Sequence, residues 1–172
     1  PVVATSLNNL AVLYLATGQY EQAESFHRRA LAIREKTLGP DHPDVASTLN
    51  NLGMLYDASG RYTQAWSLIQ RAVTIRERTL GSDHPAVGSS LGTLAVLATV
   101  KQEYSTAINL YERSLLIEGQ QIRDVFRFTT EPQKLAFIRS IQGTYEGLLS
   151  LVHQHLRRDK QAVRSAFELA RS

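Results

Sequence analysis

The chain contains no cysteine among its 172 residues. This absence excludes disulfide bonds, thiolate metal sites and a cysteine nucleophile within these residues. It also fits a reducing compartment, so we expect a cytoplasmic protein. Long apolar runs are absent too: none reaches the roughly 18 residues that a membrane-spanning helix needs. The sequence therefore predicts no insertion into a membrane.

A dense charge of one sign is also missing. The net charge is only +3; residues 1–118 carry ten Lys and Arg against eleven Asp and Glu, and residues 119–172 carry nine against five. Nucleic-acid-binding proteins usually carry a denser basic stripe on one face. The local excess is better explained by a solvated helix face, so we expect no nucleic-acid partner.

Motifs of catalysis and cofactor binding are lacking as well, since no Gly-rich phosphate loop or Gly-x-Ser-x-Gly string occurs. The most site-like string is Asp-His-Pro at residues 41–43, which recurs at 83–85. Two copies one repeat apart, about 10 Å, cannot share the three or four ligands of a metal ion. We interpret the string as a joint between helices, in which Asp41 caps the next helix and Pro43 occupies its first turn. The sequence thus predicts no enzyme, no metal site and no cofactor.

What the sequence has in abundance is internal repetition. Residues 3–44 and 45–86 are identical at 25 of 42 aligned positions, and a looser third copy extends from 87 to about 121. Such a period is typical of proteins built from stacked structural repeats. The positions that recur in all three copies are Val3, Val45 and Val87; Leu7, Leu49 and Leu91; Leu10, Leu52 and Leu94; and Leu13, Leu55 and Leu97.

Each copy has the pattern of two amphipathic helices joined by a tight turn. Apolar residues recur every three or four positions on both sides of Gly18, where a left-handed backbone costs glycine least. Small residues recur at the predicted helix crossing, which allows two helix axes to approach closely. These are Ala11, Gly53 and Ala95 on the first helices, with Ala23, Ala65, Ala107, Ala30, Ala72 and Ser114 on the second.

This order of small, aromatic, Gly, Tyr, Ala and Ala resembles the tetratricopeptide repeat; it appears as Ala11, Tyr14, Gly18, Tyr20, Ala23 and Ala30. The 42-residue period, with "LNNLAVLY" and "DHPDVA", resembles the kinesin-light-chain type of this repeat. The resemblance implies an all-α, right-handed superhelix of three helical hairpins in residues 1–126. A longer C-terminal helical hairpin is expected in residues 127–172.

The third copy departs from this pattern. Its aromatic residue is replaced by Ala98 and its turn glycine by Gln102, and the closing Gly-x-Asp-His-Pro string is absent. We therefore expect a longer or irregular second helix in this copy.

The tail begins with a helix-start signature, in which Thr130 caps, Pro132 lies in the first turn and Gln133 completes a capping box. Its string "EPQKLAFIRSIQGTYEGLLSLV" resembles the segment that precedes the caspase-like CHAT domain in bacterial proteins with tetratricopeptide repeats. The resemblance implies a linker to a peptidase domain beyond Ser172. The chain would then be a sensor or autoinhibitory arm of that peptidase.

Pairs of asparagines occur in the middle of two first helices, although Asn is a poor helix former. In tetratricopeptide proteins the first helices line a concave groove, so the resemblance implies that these amides hydrogen-bond the backbone of an extended peptide. Alternatively, they bond between helices and fix the register of the stack. The candidate groove residues are Asn8, Asn9, Val12, Asn50, Asn51, Met54, Asp57, Thr93 and Val96.

The function that follows is a non-catalytic protein–protein interaction module that binds a peptide or protein segment in this groove. Relatives that bind a C-terminal carboxylate place Lys or Arg beside the Asn, whereas Thr5, Ser47 and Ser89 occupy those places here. A free carboxylate is therefore not the expected ligand. Self-association through the ends of the stack is a further possibility, because neither end is capped by a polar repeat.

Overall fold

The computed structural model describes residues 2–126, 143–144 and 146–151, which are helical apart from short turns and contain no strand. The all-α fold class is confirmed. The chain divides into two compact units, Pro1–Ser82 and Asp83–Ser172. The helices are α1 (Val2–Ala16), α2 (Tyr20–Leu38), α3 (Pro43–Ala58), α4 (Tyr62–Leu80), α5 (Pro85–Val100) and α6 (Tyr104–Phe126).

Each hairpin turns at a residue with positive φ. Gly18 and Gly60 have φ of +74° and +75° at the ends of α1 and α3, as the sequence predicts. At the matching position of the third copy, Gln102 adopts a φ of +62°. The fold therefore imposes the left-handed conformation even where the glycine has been lost.

The joints before α3 and α5 confirm the structural interpretation of the Asp-His-Pro strings but correct the role of the aspartate. The residue that caps is the histidine: the Asp44 N–H donates to His42 Nδ1 at 3.1 Å, and the Ala86 N–H donates to His84 Nδ1 at the same distance. Asp41 instead forms an ion pair with Arg78, in which Asp41 Oδ2 lies 3.2 Å from Arg78 Nη2. The aspartate lies one residue too early to reach the free N–H groups of the first turn, so it extends to α4.

Small residues bring the two helices of each hairpin together, as predicted. Ala11, Ala23 and Ala30 are fully buried in the first hairpin. In the second, Gly53 lies so close to α4 that a Cβ atom there would overlap Ile69 and lie 3.3 Å from the Ala65 carbonyl oxygen. The close approach of α3 to α4 thus depends on the missing side chain.

Consecutive hairpins of the first unit share one core. Val45, Ala46 and Leu49 of α3 pack with Ala72 and Ile75 of α4, and Leu31 of α2 and Leu68 of α4 pack against this cluster. The apolar face of α3 therefore contacts the preceding hairpin as well as its own partner helix.

A buried arginine also joins the two hairpins. Arg34 of α2 donates to the Asp44 carbonyl at 3.0 Å, to Thr48 Oγ1 at 2.6 Å and to Thr5 Oγ1 at 3.2 Å. Buried charged groups require such hydrogen bonds, because desolvation without them is costly. These contacts connect α2 to both α1 and α3.

The second helix of the third copy is longer than the others, as predicted: α6 has 23 residues, whereas α2 and α4 have 19. Glu118 of α6 occupies the position of Arg34 in α2, and it accepts a hydrogen bond from Thr144 Oγ1 at 3.0 Å. Leu148 and Leu151 are buried. Thr144 therefore corresponds to Thr48, but it follows its partner by 26 residues rather than 14.

Helical residues 143–144 and 146–151 thus pack on α6 in the manner of a first helix. The other predictions for the tail lie outside the described residues: the cap at Thr130, the second helix of the hairpin and the link to a peptidase domain. None of the described helices is long and apolar enough to cross a membrane.

Candidate functional site

The candidate groove in the first unit is the face of α1 and α3 that points away from α2 and α4. Val12 and Met54 occupy equivalent positions one repeat apart on this face, and they are 43% and 46% exposed. Gly53, one residue before Met54, points instead towards α4. The two large apolar side chains are therefore available to a ligand rather than to the core.

Two of the four predicted asparagines bond to each other across the groove helices. Asn51 Nδ2 of α3 donates to Asn8 Oδ1 of α1 at 3.2 Å. The same oxygen accepts a hydrogen bond from His27 Nδ1 of α2 at 3.1 Å. This arrangement favours the interpretation that Asn8 and Asn51 fix the register of neighbouring hairpins.

His27 is a buried titratable residue that no sequence motif marks as a candidate site residue. It is 0% exposed, and its Nε2 atom has no hydrogen-bond partner. Burial lowers its pKa from 6.5 to about 4, because the charged imidazolium would lose its hydration. Its equivalents in the other copies are Ile69 and Tyr111. These equivalents indicate that the neutral His27 ring fills the core.

The remaining two asparagines have different surroundings. Asn50 is half-buried, and its Nδ2 lies 3.5 Å from Met54 Sδ on the same helix. Asn9 is exposed, and no hydrogen bond to its side chain is found among the described residues. Of the predicted amides, Asn9 is therefore the one whose donor and acceptor are both open to a ligand.

Asp57 lies one helical turn beyond Met54 and is half-buried. Burial raises the pKa of its carboxyl group above the usual value of 3.8. No described cation or hydrogen-bond donor contacts this carboxylate. It is thus a partly desolvated anion at the edge of the candidate groove.

The two predicted groove residues of α5 belong to the second unit. Val96 is exposed, and the Thr93 hydroxyl donates to the Ser89 carbonyl at 3.2 Å within its own helix. The Thr93 hydroxyl therefore already has an acceptor within its own helix. Val96 is exposed and apolar, as Val12 and Met54 are at the equivalent positions.

A second concave feature was not predicted from the sequence. A cleft of about 400 Å³ lies between α2 and α4, with Leu52 of α3 at its floor. Its lining combines apolar and polar side chains. The residues are Arg28, Leu31, Ala32, Glu35, Leu52, Tyr56, Thr63, Gln64, Ser67 and Leu68.

Two residues that line this cleft, Arg28 and Tyr56, belong to a charged network. The Tyr56 hydroxyl donates to Glu24 at 2.8 Å and accepts from Arg28 at 2.7 Å, while Arg61 pairs with Glu24 at 2.8 Å and lies 4.0 Å above the Tyr56 ring. Burial tends to raise the pKa of Glu24, but the hydrogen bonds from Tyr56, Arg61 and Arg28 outweigh it and lower the pKa. These mutual contacts indicate that the network holds α2, α3 and the turn before α4 together.

Within the described part of the chain, no group of three or more His, Asp and Glu side chains is placed to hold a metal ion. The described side chains at the candidate groove offer amide groups, exposed apolar surface and one carboxylate.

The tetratricopeptide repeat family matches residues 2–75 and 58–117. Among solved structures, the chain is similar to BtubC (BKLC) from P. vanneervenii, with 21% identity, a TM-score of 0.74 and coverage of 97% of this chain and 63% of that one. It is also similar to a candidate kinesin light chain of Podospora anserina with nearly identical TPR-like repeats, with 25% identity, a TM-score of 0.64 and coverage of 97% and 91%.

A third similar structure is the Sgt2 TPR domain of Aspergillus fumigatus, with 18% identity, a TM-score of 0.54 and coverage of 86% and 80%. The chain spans less than two thirds of the length of BtubC. Comparison with curated protein sequences gave no match.

Proposed function

Because the chain belongs to the tetratricopeptide repeat family, whose domains mediate protein–protein interactions, we propose that it binds a peptide or protein segment in the groove of α1 and α3. In this proposal the chain is a non-catalytic interaction module. Asn9, Val12 and Met54 supply the contacts, and Asn8 and Asn51 hold the two helices in register.

The observation that carries the proposal is that equivalent asparagines have different surroundings. Asn51 is engaged by Asn8, whereas its equivalent in the first copy, Asn9, is exposed. An amide that both donates and accepts can pair with the backbone of an extended peptide, as a β-strand would. Val12 and Met54 lie one turn further along the same face and can receive an apolar side chain.

The test is the affinity of dodecapeptides selected from a random library, measured by fluorescence anisotropy. We expect Asn9→Ala to weaken binding about tenfold, which equals about 1.4 kcal/mol or one net hydrogen bond. Met54→Asp should weaken it further by placing a charge on the apolar contact.

The matched control is Gln22→Ala, which removes an exposed amide from α2 and should leave the affinity unchanged. Peptides that bind equally well to the wild-type protein, to Asn9→Ala and to Met54→Asp would show that the ligand lies elsewhere.

A further inference from the structure

We propose that the peptide bound in this groove carries a lysine or arginine beside an apolar residue, and that Asp57 selects this basic side chain. The inference rests on the proposed function, since it names the chemistry of the ligand for the same groove.

The first helices of the first unit have no positive charge. All eight Lys and Arg residues of residues 1–82 lie on α2, on α4 or at Arg61 in the turn before α4. The charged residues of α1 and α3 are Asp44 and Asp57 alone. Asp44 lies in the first turn of α3, so Asp57 is the one charged side chain of these two helices near the exposed Met54, although the unit as a whole is nearly neutral.

Several of the basic residues are held away from the groove by partners of their own. Arg71 pairs with Glu35 at 2.7 Å, Arg78 with Asp41 at 3.2 Å and Arg61 with Glu24 at 2.8 Å. Arg34 is buried between the hairpins. These four side chains are thus not available to neutralise Asp57.

Asp57 differs from Glu24 and Glu35, two other partly buried carboxylates of the unit, in lacking a described partner. Glu24 and Glu35 each accept at least one arginine at 2.9 Å or less. Burial raises the pKa of Asp57, which shows that the charged form loses hydration without a compensating contact. An ammonium or guanidinium group from a ligand would supply that contact, and its attraction is strengthened by the partial burial.

The position of Asp57 also sets the pattern of the ligand. Residues 50, 54 and 57 follow one another at helical spacing, so the carboxylate lies one turn beyond the exposed Met54. The matching residues in the other copies are Leu15 and Thr99. Asp57 is therefore the only acid at this position of the three repeats. One basic residue adjacent to one apolar residue is the sequence pattern that fits.

The experiment compares random dodecapeptide libraries selected on the wild-type protein and on Asp57→Asn, Asp57→Lys and Asp44→Asn. We expect Lys and Arg to be enriched beside an apolar residue on the wild-type protein, to lose their enrichment on Asp57→Asn, and to be replaced by Asp and Glu on Asp57→Lys. Asp44→Asn removes the same charge at the start of α3, outside the groove, and should keep the wild-type preference.

For a selected peptide, replacing the basic residue with Gln should weaken binding about fivefold to the wild-type protein and not measurably to Asp57→Asn. The difference should shrink when salt rises from about 0.05 M to about 0.5 M, because the Debye length falls.

Enrichment of acidic peptides by the wild-type protein, or a Lys preference that survives Asp57→Asn, would overturn the inference while leaving groove binding intact. Selected peptides whose binding ignores Asn9→Ala and Met54→Asp would overturn the proposed function, and the inference with it.

Discussion

The first and second hairpins have nearly the same residues on their first helices, yet those residues have different environments. Leu13 and Val3 of α1 are 64% and 62% exposed, whereas their equivalents Leu55 and Val45 of α3 are fully buried. The reason is that α3 packs against the preceding hairpin, while no helix of the first unit packs in front of α1. In a repeat protein the burial of a residue is thus a property of its place in the stack.

The two hairpins also differ at one site that is buried in both. His27 of the first hairpin and Ile69 of the second are equivalent and fully buried, and Ile69 lies against Gly53, where the first hairpin has Ala11. The second hairpin accommodates the branched isoleucine by removing the Cβ opposite it.

The largest expected effect contrasts Leu55→Ala with Leu13→Ala. Truncating the buried leucine should lower the free energy of unfolding by about 2–5 kcal/mol, because it leaves a cavity. The same change at the exposed Leu13 should alter it by less than about 0.5 kcal/mol. Urea unfolding followed by circular dichroism measures both, and equal effects would refute the contrast.

The next prediction concerns acid stability. Because the pKa of His27 is about 4 in the folded chain and 6.5 when unfolded, the unfolded chain binds the proton more tightly. Stability from this residue is complete above pH 6.5 and is lost as the pH falls towards 4, by at most about 3 kcal/mol. His27→Leu should flatten the pH profile between 6.5 and 4 in urea titrations, and an unchanged slope would contradict this assignment.

A smaller effect is expected at the crossing of α3 and α4. Gly53→Ala should destabilise the protein by about 1–3 kcal/mol through overlap with Ile69, although alanine is the better helix former. In an Ile69→Ala background the overlap disappears, so the same substitution should become neutral or stabilising. A double-mutant cycle by thermal unfolding measures the coupling, and additive effects would show that the contact is not limiting.

The smallest effect compares the turns of the second and third hairpins. Gln102→Gly should raise the free energy of unfolding by about 1 kcal/mol, because a side chain at φ of +62° is strained. The reciprocal change Gly60→Gln should lower it by a similar amount. Denaturant midpoints for the two variants test the pair, and a loss of stability in Gln102→Gly would refute the strain.

Much of the fold follows from periodicity and turn chemistry. Repeated apolar spacing predicts the six helices, Gly18 and Gly60 predict the turns, and Pro43 marks a helix start. The capping residue was predicted wrongly as Asp41, because only the geometry of the joint shows that the His42 ring reaches the free N–H group. The contact between Thr144 and Glu118 was equally unpredicted, because these residues are 26 positions apart with no copy of the joint string between them, whereas Thr48 follows Arg34 by 14.

The sequence by itself determined where helices begin, where they turn and which face of each is apolar, because these depend on residues near one another in the chain. Only the tertiary structure decided that Asn51 bonds to Asn8 while Asn9 stays exposed, that Leu55 is buried while Leu13 is not, and that Asp57 lacks the arginine partners of Glu24 and Glu35. Those differences arise from neighbours supplied by another hairpin. Identical residues in consecutive repeats can therefore be exposed in one copy and buried or hydrogen-bonded in the next.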